Sequence, residues 1–128
     1  MLYKKIFMGL ALAVFLASIA SSALAGTTNF NVIVPKFGGK ANTSITTKDT
    51  STNAWSFYNL TVGANKTVNF RPMKNNSAVG NWYSGTTGTT VWGPYTSPQG
   101  IGTNIYGQIG TSWNEPVNVQ VWGAFNSN

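Results

Sequence analysis

Apolar and polar side chains alternate from Val117 to Phe125: Val117, Val119, Val121, Gly123 and Phe125 fall on one parity, and Asn118, Gln120, Trp122 and Ala124 on the other. A repeat of two sends successive side chains to opposite faces of an extended strand. The valines are therefore predicted to face a core, and Trp122 to stand on the polar side. The stretch before it behaves alike, with Ile101, Thr103, Ile105, Gly107 and Ile109 on one parity and Asn104, Tyr106 and Gln108 on the other. Further strands are predicted over residues 29–34, 43–48, 54–62, 67–71, 78–83 and 89–92, about eight in all. Between them lie Phe37-Gly38-Gly39-Lys40, Val62-Gly63-Ala64-Asn65, Lys74-Asn75-Asn76-Ser77, Gly85-Thr86-Thr87-Gly88 and Ser97-Pro98-Gln99-Gly100, all of them turn chemistry. Short strands so punctuated predict an all-β fold, an antiparallel β-sandwich, with a small closed barrel as the alternative.

The amino terminus follows a different pattern. Lys4 and Lys5 precede an uninterrupted apolar run, residues 6–17, and the small-residue sequence Ala23-Leu24-Ala25. That order predicts a secretory signal peptide over residues 1–25, cleaved after Ala25, because the apolar run falls well short of the roughly 20 residues a membrane span needs. Export of a single β-domain over residues 26–128 is the expectation, with free secretion as its default destination.

Composition sharpens this reading. The chain has no cysteine, which excludes disulfides and a lipidated-cysteine anchor, so burial alone must hold the fold. Without the leader, Lys36, Lys40, Lys48, Lys66, Arg71 and Lys74 face Asp49 and Glu115, a net charge of +4. An anionic polymer or lipid headgroup would suit that balance, but no polybasic run occurs. The lysines are therefore expected to be solvated surface charge, and nucleic acid is not the expected partner.

The same inventory weighs against catalysis. There is no histidine and no thiolate, and the two carboxylates fall in separate predicted loops, so neither a general base, a metal cluster nor a glycosidase pair is expected. No Ser-x-x-Lys spacing occurs after residue 25, and Gly38-Gly39-Lys40 belongs to no strand-loop-helix unit. No enzyme activity and no cofactor are predicted.

What remains is a surface of rings and amides. If the last two strands pair as a hairpin, Trp122 with Asn118 and Gln120 would adjoin Tyr106 with Asn104 and Gln108, forming one ligand-binding platform. Flat rings beside amides suit sugar rings or peptide strands, which offer a face to stack on and polar edges to bond. Val91-Trp92-Gly93 also recurs as Val121-Trp122-Gly123, a repetition read here as a common way to end a strand.

The layout from Phe30-Asn31-Val32 through Ala54-Trp55 to Val119-Gln120-Val121-Trp122 resembles a family of small secreted Gram-positive proteins of unknown function, some found beside bacteriocin-type export systems. Members of that family often carry an acidic residue after the final Trp, where Gly123-Ala124 stands here. The resemblance implies a secreted β-sandwich and no known activity. Three functions follow as expectations. The first is a non-enzymatic binding module for cell-surface glycan or another protein; the second is a cationic, bacteriocin-like or membrane-acting protein; the third is a self-assembling matrix protein.

Overall fold

The computed structural model describes residues 26–128, and the predicted leader, residues 1–25, lies outside them. Each alternating segment has one apolar face to hide, and the strands hide theirs against one another in two antiparallel sheets. The strands are β1 (Thr27–Val34), β2 (Lys40–Asn42), β3 (Thr46–Thr47), β4 (Trp55–Val62), β5 (Val68–Lys74), β6 (Ser77–Ala78), β7 (Tyr83–Gly85), β8 (Val91–Gly93), β9 (Asn104–Gly110) and β10 (Val119–Asn126). One sheet runs β1-β10-β4-β8; the other runs β2-β9-β5-β6, with β3 also on β9 and β7 on β5. The sheets do not close into a barrel, so the fold is a sandwich.

Ten strands stand where about eight were expected because β2 forms over Lys40–Asn42, ahead of any predicted segment, and one predicted segment breaks in two. Of segment 43–48 only Thr46–Thr47 forms a strand, and Thr43, just past β2, uses its Oγ1 to accept the Gly107 N–H at 2.9 Å. Segment 78–83 separates into the short β6 and β7. Val117 is another departure. It precedes β10 and is exposed, so the inward parity begins at Val119.

The core is aromatic. Phe57 sits at its centre, with Phe125 and Phe70 at ring distances of 4.7 and 4.8 Å and Trp55 and Phe30 edge-on at 5.8 and 6.0 Å. Val34, Val68, Ile105, Ile109, Val119 and Val121 fill the layer around them. Such rings supply the apolar area that a chain poor in leucine needs.

One irregularity matters for the outer surface. Along β4 the inward residues are Trp55, Phe57, Leu60 and Val62, a sequence that skips a place between 57 and 60. Asn59 absorbs the extra residue at φ 53°, and the register against β10 shifts between Trp122 and Ala124. This is a β-bulge on β4. It is possible because residue 123 is glycine: a Cβ there would stand 2.8 Å from the Tyr58 carbonyl oxygen and 2.9 Å from Leu60 Cδ2. The bulge reverses the parity of β4 halfway along, so Ser56 and Tyr58 share the outer face with Thr61.

Lys48 corrects a second expectation. It is not solvated surface but 1% exposed. Its Nζ donates to the main-chain oxygens of Thr52 (2.8 Å), Ser127 (3.1 Å) and Asn128 (3.1 Å) and lies 4.9 Å from the centre of the Tyr95 ring. Three donors meet three acceptors, which is what a buried ammonium requires. Tyr95 donates to the same Ser127 oxygen at 2.8 Å, and Ser127 N–H reaches Gly26 O at 2.7 Å. The first and last strands are thereby fastened at one end of the sandwich.

Candidate functional site

The four-stranded sheet carries no charged residue on any strand. Its inner face is core, and its outer face is lined with rings and amides. Trp122 on β10 is 40% exposed, confirming its outward parity. Asn31 stands beside it on β1 and Thr61 on β4. Gln120 Nε2 donates to Asn31 Oδ1 at 3.0 Å, tying the two amides into one polar edge. Asn29, Asn31, Asn59, Gln120, Trp122 and Ala124 line an open groove of about 450 Å3.

The register extends this groove into a line of rings. Tyr58 pairs with Ala124, two positions along β10 from Trp122. Trp92 on β8 pairs with Ser56, two positions along β4 from Tyr58, and is 68% exposed. Each step moves one strand across and two residues along, a diagonal separation of about 8 Å between Cα positions. Trp122, Tyr58 and Trp92 therefore form a diagonal roughly 16 Å long across an uncharged face. The β4 bulge makes the diagonal possible, since unbroken alternation could not put both Tyr58 and Thr61 outside.

The predicted platform is divided. β9 pairs with β2, β3 and β5, whereas β10 pairs with β1 and β4, so the two strands form no hairpin. Residues 111–118 carry the chain from one sheet to the other, a connection longer than hairpin loops favour. Trp122 and Gln120 remain together; Tyr106, Asn104 and Gln108 lie on the outer side of the opposite sheet. Asn118 falls before β10, and its Oδ1 accepts the Lys36 N–H at 3.0 Å.

On that opposite sheet the same residue types are engaged with one another. Gln108 is buried, and its Oε1 accepts Arg71 Nε at 2.9 Å and Nη2 at 2.7 Å. Its Nε2 donates to Asn42 Oδ1 at 3.2 Å. The Arg71 guanidinium lies 4.1 Å from the centre of the Trp82 ring. Burial pulls the Arg71 pKa below its ordinary value, and the nearby Tyr106 hydroxyl partly opposes this. Tyr106 donates to Asn76 Oδ1 at 3.3 Å, and Asn104 Oδ1 accepts Thr47 Oγ1 at 3.0 Å. Gln108, Asn42, Arg71 and Trp82 thus form one connected group, while Tyr106 and Asn104 are each paired separately at the surface.

Two members of the outer diagonal, Tyr58 and Trp92, escape the alternation argument. The signal that points to Trp92 is the repeated Val-Trp-Gly: β8 and β10 flank β4, and each presents its Trp outward there. Tyr58 becomes legible only from the skipped place in the apolar pattern of β4.

The carboxylates occupy opposite ends of the sandwich. An added Cβ on Gly26, before β1, would lie 3.2 Å from Asp49 Oδ1, whereas Glu115 O accepts the N–H of Phe37, beyond the far end of β1. The length of β1 sets them roughly 25 Å apart, several times the separation at which two carboxyls can flank one glycosidic bond. Among the described residues, no three His, Cys, Asp or Glu side chains gather as metal ligands. Comparison with protein-family models, curated proteins and solved structures found no match.

Proposed function

We propose that this protein is a secreted, non-enzymatic binding module that holds an uncharged glycan chain against the outer face of its four-stranded sheet. One observation carries the reading: three outward aromatic side chains, Trp122, Tyr58 and Trp92, lie in line on a face with no charge, edged by the amides of Asn31 and Gln120. Pyranose rings present apolar C–H faces and polar edges. Flat rings accept the faces, and amides bond the edges, without the desolvation cost of an ionic group. A diagonal roughly 16 Å long spans several sugar residues, so an extended chain fits better than a single sugar. Export places such a module among cell-surface polysaccharides, in keeping with the leader predicted over residues 1–25.

The test is retention of the protein by soluble neutral oligosaccharides of glucose, mannose or N-acetylglucosamine, measured for the unsubstituted chain and for Trp122→Ala. The reading expects retention by at least one of these series, growing with chain length and lost in the variant. Equal retention of the variant would overturn it.

A second reading rests on β1, an eight-residue edge strand without charge or proline. Such an edge is open to pairing with another strand, including that of a second copy. Sedimentation across a hundredfold concentration range separates the readings: a monomer throughout removes self-assembly, and a growing oligomer favours it.

A further inference from the structure

We infer that the end of the sandwich formed by residues 35–39 and 111–118 docks onto the headgroup surface of an anionic lipid bilayer, with Phe37 and Trp113 as the inserting side chains. Phe37 is 60% exposed, yet its backbone sits at φ 58°. The left-handed region is unfavourable for a bulky residue, and strain of that kind persists where the surroundings enforce it, often at functional surfaces. Here the enforcement is visible. Phe37 N–H donates to Glu115 O at 2.9 Å, Gly38 N–H to Ser112 O at 2.9 Å, and Thr111 N–H to Gly39 O at 3.1 Å. The ring gains little burial in return, so the strained turn holds an apolar side chain out in water.

Trp113, on the second loop, is 83% exposed. The loops touch: a Cβ on Gly38 would lie 3.6 Å from Trp113 Cα. Ile33 and Val117 add exposed apolar surface nearby. Lys36 places its Nζ 5.3 Å from the centre of the Phe37 ring, and Lys40 opens β2 just after the turn. The acid at this end, Glu115, has Oε1 3.2 Å from Lys66 Nζ, a contact that offsets its charge without hydrogen-bond alignment. The tip is therefore aromatic and positively charged.

Those two properties select the occupant. A second copy would bring like charge against like. At a bilayer surface, rings settle among the headgroups and lysines meet anionic lipid. The glycan reading is independent of this one, since the Trp122 diagonal lies on a sheet face and the tip is a loop end.

The test is partition of the purified chain onto vesicles of equal parts phosphatidylglycerol and phosphatidylcholine. Any contribution from residues 1–25 is common to all variants, so the comparison between variants reports on the tip. Loss of both rings, Phe37→Ser with Trp113→Ser, is expected to weaken partition about tenfold. Trp92→Ser, which removes an equally exposed ring elsewhere, should leave it unchanged. Lys36→Gln should weaken it about fivefold at low salt. Phe37→Gly supplies a readout that a structural role cannot imitate: it relieves the φ, so its melting temperature should rise while partition falls. Equal partition of the double variant and the parent, or a Phe37→Gly variant that melts lower, would overturn the inference.

Discussion

The two sheets are built from the same residue types and put them to opposite use. In the four-stranded sheet no strand residue is charged, and Gln120 lies exposed at the side of Trp122. In the other sheet the strands carry Lys40, Arg71 and Lys74, and Gln108 is buried between Arg71 and Asn42. Both sheets hold a tryptophan beside an amide. Around Trp82 a cation has taken the ring and the amide together, whereas the ring of Trp122 opens onto a groove. A half-buried guanidinium takes up the acceptor and the ring beside it, so one arginine converts a ring-and-amide surface into a structural lock. Its absence leaves the other face available.

The largest effect expected from breaking this contrast is on binding. Trp122→Ala should reduce neutral-glycan affinity roughly thirtyfold, about 2 kcal/mol, with no fall in melting temperature, while Tyr106→Ala leaves affinity unchanged. Next comes stability. Gln108→Ala strips Arg71 of two charge-assisted hydrogen bonds and should cost about 2 kcal/mol in urea unfolding, whereas Gln120→Ala should cost under about 0.5 kcal/mol. Asn59→Ala strains the β4 bulge and should cost about 1 kcal/mol; because the bulge orients Tyr58, it should also weaken binding more than Gln120→Ala. The effect of salt should be smaller still. Raising sodium chloride to about 0.5 M should leave glycan retention within about twofold, since the four-stranded sheet offers no charge to screen.

The pH response sharpens the same point, because neither face holds a group that titrates near neutrality. Stability measured by thermal melting should be nearly flat between about pH 5.5 and 8.5. Above that range the buried closure responds. Burial raises the Tyr95 pKa above its unfolded value, so its contribution is complete below about pH 10 and is lost as pH rises further. For Lys48 the sign is opposite. Desolvation lowers its pKa below 10.5, against the attraction of Asp49, so the cost of burying the cation is present at neutral pH and is relieved as pH rises towards 10.5. Tyr95→Phe should remove the alkaline loss and leave the relief at Lys48 exposed.

The sandwich and the outward placing of Trp122 were legible because alternation is a local property. Val119, Val121 and Phe125 declare an inner face without reference to any neighbour. Partnership between strands is not local. Nothing in Asn104-Ile105-Tyr106-Gly107-Gln108 indicates that Arg71 will sit opposite Gln108, and that pairing decides whether Gln108 joins a binding surface or is taken up inside the protein. Lys48 was missed for a related reason. Its solvation is replaced by main-chain oxygens of residues 52, 127 and 128, groups that every sequence possesses and none advertises. Tyr58 was obscured by the bulge, although Trp55, Phe57, Leu60 and Val62 record the skipped place.

The division between an open face and a locked one is tested most directly by nuclear magnetic resonance. The chain has five tryptophans, and their indole N–H signals can be assigned one by one through substitution. Titration with a retained neutral oligosaccharide should move the signals of Trp122 and Trp92 and leave that of Trp82 in place. Movement of Trp82 with Trp122 unmoved would contradict the account.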